Sequence, residues 1–264
     1  MKLGDNMIRY SNEEGFIKPR GLFFREGQDE YIILPKVAVG VFSHHLFNDV
    51  IQKFSCREVG YLKCANYEKN IYILNYKGIK ITFFMAGVGG PHICDDIEEL
   101  HAQGAEKFII FGNCGVLDSK IEDCSIIIPT KAFRDEGTSQ HYVPDSEAID
   151  VNPKYINEFI EVLKEHDFDY TTGYTWTTDA FYRETRDKID YFKNNGALCV
   201  EMEGSVIAAV CQRLKLDYFT FYYAGDNLDS AEWDERSLLG NVNFEKKREV
   251  MSLALDLALK LNEE

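Results

Sequence analysis

The chain of 264 residues is 45% hydrophobic and 13% aromatic, which supplies one buried core at the upper end of the length a single core supports. Its 44 acidic against 29 basic residues leave a formal charge of −15 and exclude broad affinity for nucleic acid or an anionic membrane, both of which need clustered Lys and Arg. No apolar run approaches the ~20 residues that span a bilayer, the opening MKLGDNMIRYSNEEGF has no apolar leader segment, and seven cysteines without a CxxC pair read as reduced thiols rather than disulfides or a metal site, so a cytoplasmic location is expected.

Residues 1–30 are polar and irregular in pattern. Residues 31–41, YIILPKVAVGV, form a near-continuous apolar run broken by Pro35 and Lys36, the pattern of a buried strand. The next segment predicts a helix with Leu46, Phe47, Val50, Ile51 and Phe54 on its inner side. His44 and His45 at its start point about 100° apart and cannot share a metal ion. Residues 71–76 and 79–85 read as a hairpin around the turn pair Lys77-Gly78. In AGVGGPHICDDIEELHAQG, glycines end a strand, Pro91 opens a helix, Ile93, Ile97 and Leu100 make its buried stripe, and Gly104 stops it. Strand, glycine turn and helix N-terminus together also form an arrangement that cradles an anion through free backbone N–H groups.

Residues 107–111 predict a strand with Gly112-Asn113-Cys114-Gly115 as its turn, residues 125–129 a second short strand, and residues 130–150 a long polar loop. Asn152-Pro153 reads as an N-cap and first helical residue, with Tyr155, Ile156, Phe159, Ile160 and Leu163 facing inward. A strand over 171–177 leads into TTDAFYRET. Residues 198–226 then read as strand, helix and strand, and a last helix covers 244–261. This alternation implies a single α/β domain over 1–264 with a central mixed sheet. Glu201 and Glu203 leave one strand of the 198–226 unit and Asp226 ends the other. Carboxylates at neighbouring strand ends mark a candidate site, since ligands of open α/β sheets bind at that edge. Solvated strand-end acids are the plain alternative.

The blocks GVGGPHICDDIEEL, FGNCGVLD, TTDAFY, VEMEG and AGD resemble, in this order, the motifs of the nucleoside phosphorylase family, which includes purine nucleoside phosphorylases, uridine phosphorylases and methylthioadenosine/S-adenosylhomocysteine nucleosidases. The resemblance covers about residues 31–260. It implies a three-layer α/β/α fold, assembly into dimers, trimers or hexamers, and cleavage of a nucleoside's N-glycosidic bond with inorganic phosphate as co-substrate and no other cofactor. It further implies that Glu203 accepts the ribose hydroxyls, that Met202 packs on the sugar, and that Phe181 and Tyr182 lie beside base and sugar. Asp226 matches the catalytic acid that protonates N7 of a departing purine, and Arg236 an arginine that pairs with that acid when the site closes. Uridine-specific members lack the Asp, so a purine-like base is expected. A carboxylate can take two hydroxyl donors at once, and a general acid at N7 is typically worth about 10²–10⁴-fold.

The phosphate half departs from the family's pattern. Where those enzymes carry a Gly-Asp-Pro turn and an arginine after the first strand, this chain has residues 35–40, PKVAVG; a second arginine is replaced by Ile110, and a Ser or Thr by Asn113. Buried phosphate needs compensating cations, so the expected site is a weaker nest of backbone N–H groups at 87–90, including Gly89, and at 112–115, with Asn113 and Lys36. Arg20, Arg25, Arg183 and Arg186, from this or a neighbouring subunit, are further sources of charge. The alternatives are a hydrolytic nucleosidase and a nucleoside- or base-binding relative without turnover.

Overall fold

The computed structural model describes residues 9–238 and 241–263. In chain order these form β1 (Val37–Val41), α1 (His44–Lys53), β2 (Ser55–Lys63), β3 (Glu68–Tyr76), β4 (Ile79–Met85), α2 (Gly90–Ala102), β5 (Lys107–Val116), β6 (Ile126–Asp135), the single turn α3 (Ser139–Tyr142) and β7 (Ala148–Asp150). They continue with α4 (Ile156–Glu165), β8 (Tyr170–Thr178), a 3-10 turn at Phe181–Arg183, α5 (Arg186–Asn194), β9 (Ala197–Glu201), α6 (Gly204–Leu214), β10 (Asp217–Asn227) and α7 (Phe244–Asn262).

The ten strands make one mixed sheet in the order β10-β6-β8-β9-β5-β1-β4-β3-β2, with β7 on β6. Because β10 also pairs with β5, its first five strands close into a ring. Strand alternation divides the side chains between two cores. Val37, Val39 and Val41 of β1 join Phe111 of β5 and Phe221 of β10 under α1, α4 and α7, where the Phe111 and Phe221 rings stack at 5.0 Å. Ala38, Phe108 and Ile110 face the opposite way, onto α2 and α6. Strands buried on both faces in this manner account for their near-continuous apolar sequence and for the α/β/α layering.

Several local expectations are corrected. The first strand is confined to Val37–Val41, because Tyr31 and Ile33 point into solvent and Leu34 instead bonds through its N–H to the Gln103 carbonyl. Gly112 to Gly115 is no turn: β5 runs through it, paired with β10, to Val116. The predicted loop at 130–150 is largely ordered as the second half of β6, α3 and β7. Asn152 does not cap α4, whose N-cap is Tyr155; its amide bridges the Pro129 and Thr220 carbonyls at 2.9 and 2.7 Å and its carbonyl accepts from Thr220 N–H. The hairpin turn does use left-handed backbone at both Lys77 and Gly78, φ 44° and 94°.

Candidate active site

A cavity of about 190 Å³ opens where β5, β9 and β10 converge, lined by Asn113, Val200, Met202, Glu203, Tyr222 and Asp226, with Phe42, Val88, Phe181 and Glu184 closing it from neighbouring loops. Two backbone features create it. Strand β9 meets β5 antiparallel only through the pairs Gly115–Val200 and Val116–Cys199, so the end of β9 is delivered against the end of β5. On the other side, β10 shifts register between Ala224 and Asp226, a bulge at Gly225 that turns the Asp226 side chain into the cavity. Gly115 is the point of closest approach: a Cβ there would stand 2.4 Å from Leu228 Cδ1 and 3.1 Å from Asp226 Oδ1.

The two glutamates of VEME have separate tasks. Glu201 is fully engaged, accepting from Thr175 Oγ1 at 3.1 Å, Thr177 Oγ1 at 2.6 Å, and the Glu203 and Gly204 N–H groups at 2.7 and 2.5 Å. Burial pushes its pKa up, but four donors oppose that, and backbone N–H groups can only donate. Glu201 therefore holds the β9–α6 junction together. Glu203 accepts from the Gly89 N–H at 2.5 Å, and the Met202 backbone N–H also favours its anion. Burial first, then the neighbouring Glu201 charge, raise it to about 8. One of its oxygens remains open to a ligand donor. Gly89 can aim its N–H this way because it adopts φ 90°, a conformation open to glycine.

Asp226 is buried and accepts from Trp233 Nε1 at 2.7 Å. Burial raises its pKa; the indole bond and the more distant Arg236 charge pull the other way. Glu184 follows the 3-10 turn, half-buried, and its pKa is pushed to about 8 by burial and then by the Asp226 charge. No Lys or Arg lines the cavity among the described residues.

The structure thus gathers Asp226, Glu203, Met202, Phe181 and Asn113 around one cavity and brings Gly89 to it through the Glu203 bond. It does not bring the others. Lys36 precedes the opposite end of β1, where it pairs with Glu106 at 2.9 Å, and it does not line the cavity. Tyr182 is 92% exposed and points out of the cavity that Phe181 lines. Arg236 does not pair with Asp226; it donates to the Ile121 carbonyl at 2.8 Å and to Asp234. Of the predicted N–H nest, Gly89 is taken by Glu203, Gly87 donates to Asp96 at 2.7 Å, and 112–115 lies in a paired strand. Asp96 is itself held by the buried Lys69. Arg25 is bound to Glu58, Glu68 and Asn70, and Arg186 to the Leu228 and Ser230 carbonyls. His44 contacts Asn48 and His45 packs edge-on to Phe244, and neither lines the cavity. Sequence reading missed Glu184 and Trp233, which belong to no periodic pattern; their only signal is proximity in sequence to Phe181 and Asp226. No group of three or more His, Cys, Asp or Glu able to hold a metal occurs among the described residues, and no described helix is long and apolar enough to cross a membrane.

The sequence profile of the Phosphorylase superfamily matches residues 36–261. The guanosine phosphorylase of Halorubrum lacusprofundi is 30% identical over 159 residues, 58% of this chain and 63% of that protein. The uridine phosphorylase of Thermococcus kodakarensis is 37% identical over 107 residues, 40% of this chain and 39% of its own length. The matched segments thus span less than two thirds of either relative. In three dimensions the chain is similar to a Toxoplasma gondii purine nucleoside phosphorylase in complex with immucillin-H, with a TM-score of 0.75, 19% identity, and coverage of 95% of this chain and 99% of that one. At that identity the likeness speaks for the fold.

Proposed function

Because the chain belongs to the Phosphorylase superfamily, we propose that it is a nucleoside phosphorylase that cleaves the N-glycosidic bond of a purine nucleoside with inorganic phosphate as acceptor. The observation that carries this reading is the presence of Asp226 and Glu203 in one cavity, each buried and each met by a neutral N–H donor. The named relatives differ in base, guanosine in one and uridine in the other, and Asp226 favours the purine. A departing purine gathers negative charge on its imidazole ring and can be protonated at N7; a pyrimidine has no such atom. Protonated Asp226 gives its proton to N7 as the C1′–N9 bond breaks, a phosphate oxygen bonds to C1′, and the products are the free base and ribose 1-phosphate. Glu203 hydrogen-bonds the ribose hydroxyls through its second oxygen, Met202 packs on the sugar, and Phe181 lies along the base.

Phosphate needs positive charge, and no Lys or Arg among the described residues lines the cavity. In this reading a second copy of the chain supplies it within a homo-oligomer, a dimer, trimer or hexamer, in the cytoplasm. Val88, 57% exposed at the rim, and the outward Tyr182 are apolar surface that such a copy would cover. The same lack of cations favours one second reading, hydrolysis, with water in the place of phosphate.

The test is Asp226→Asn. Purine nucleoside cleavage falls by about 10²–10⁴-fold, while purine nucleosides still raise the melting temperature. Unchanged turnover would remove Asp226 from the chemistry and the purine reading with it.

A further inference from the structure

Glu184 is the cavity acid for which the reading above has no use. Its backbone is fixed by an N–H bond to the Phe181 carbonyl at 3.3 Å, at the end of the 3-10 turn that also sets Phe181 against the cavity. Its carboxyl has no hydrogen-bond or ion-pair partner among the described residues, whereas Glu201, Glu203 and Asp226 are each answered by a donor. A half-buried polar group left open in a ligand cavity implies that a ligand completes it.

The charge state follows from the surroundings. The titratable groups that line the cavity with it are Asp226 from β10, Glu201 and Glu203 at the β9–α6 junction, Tyr222 and Cys114, of which the Asp226 charge acts on it, and no cation lines the cavity among the described residues. A further anion here would go uncompensated. The carboxyl accordingly rests neutral at neutral pH, in keeping with its displacement to about 8. In that form it presents one O–H donor and one carbonyl acceptor side by side.

The six-membered ring of a purine carries the complementary pair. Adenine offers N1 as acceptor and its 6-amino group as donor; a 6-oxopurine offers O6 as acceptor and N1–H as donor. A pyrimidine nucleoside carries a similar edge one fused ring nearer the sugar. We propose that Glu184 is a base-specificity residue whose neutral carboxyl pairs with the N1 and 6-position edge of a purine, giving one hydrogen bond and accepting another. This rests on the purine nucleoside reading of the cavity, and it gives Asp226 and Glu184 separate parts of the base: the imidazole ring for one, the six-membered ring for the other.

The test compares wild type, Glu184→Gln and Glu184→Ala on inosine, adenosine and purine riboside, which lacks the 6-substituent. Glutamine reproduces the donor and acceptor of the neutral acid, so Glu184→Gln keeps KM within about threefold. Glu184→Ala raises KM for inosine and adenosine by about 10- to 100-fold, with a smaller change in kcat and a smaller KM penalty for purine riboside. Equal losses in Glu184→Gln and Glu184→Ala, equal losses on all three nucleosides, or no change in KM in either variant would overturn the assignment. If wild type neither binds nor cleaves any of the three, the purine reading itself fails; if wild type is active and selectivity does not move, only the role of Glu184 fails.

Discussion

Asp226 is subject to opposed influences on one proton. Burial favours the neutral acid that can donate to a leaving base, and the Trp233 indole N–H favours the anion. Trp233→Phe keeps the ring and removes the donor, so the Asp226 pKa rises and the alkaline limb of the pH–rate profile moves up by about one unit, the equivalent of ~1.4 kcal/mol; an unmoved limb would show that the indole does not tune the acid. Glu203→Ala, by contrast, weakens nucleoside binding more than free-base binding, because the open oxygen of Glu203 is assigned to the sugar; equal losses in calorimetric titrations with inosine and hypoxanthine would contradict that assignment. At this scale the sequence was legible where a motif carried the residue, as in VEMEG and AGD. It was not legible at Trp233 and Glu184, whose importance comes from a loop folding back over β10 and from a 3-10 turn, neither of which leaves a periodic trace. Lys36 and Arg236 show the converse: both carry the right charge, but one precedes the wrong end of its strand and the other is tied to a backbone carbonyl.

Among the elements, β5 decides the shape of the cavity. Its GNCG segment looks like a turn because glycine is the usual turn residue, yet the strand continues and Gly115 serves close approach to Leu228 and Val200. Gly115→Ala therefore drives a methyl group into the Leu228 side chain and against the Asp226 carboxyl. A loss of about 1–3 kcal/mol in urea unfolding is expected, together with lower turnover from a displaced Asp226; a variant of wild-type stability and rate would show that the convergence tolerates a methyl group. Helices with a strong apolar stripe, such as α1, α2 and α7, were legible within a residue or two at their ends. The mixed α/β sheet was legible from strands and helices in alternation, and the three-layer arrangement from the resemblance to the family. By contrast β2 and α5 escaped notice, since SCREVGYLK has a broken alternation, with a bulge between Glu58 and Gly60, and α5 buries only Ile189 and Phe192.

For the whole molecule, the displaced acids set how stability depends on pH. Glu184 and Glu203 hold their protons in the folded state up to about 8, whereas in the unfolded chain they release them near 4.5. The native state binds more protons across that window, so stability falls as pH climbs from about 4.5 to 8. Asp256 works in the opposite sense. Burial would raise it, but bonds from Lys77, Tyr76 and His166 hold it below the usual carboxylate value of 3.8, and its contribution is lost as pH falls below that value. The melting temperature is expected to peak at about pH 4 and decline toward pH 8, and Glu203→Gln to flatten the decline; a wild-type curve that rises from about pH 5 to 8 would contradict the burial of these acids. The fate of the sugar separates phosphorolysis from hydrolysis. The most direct measurement is the product formed from inosine and guanosine in phosphate buffer and in phosphate-free buffer: ribose 1-phosphate in the first and negligible turnover in the second are expected, whereas free ribose at the same rate in both would contradict phosphorolysis and establish the hydrolytic reading.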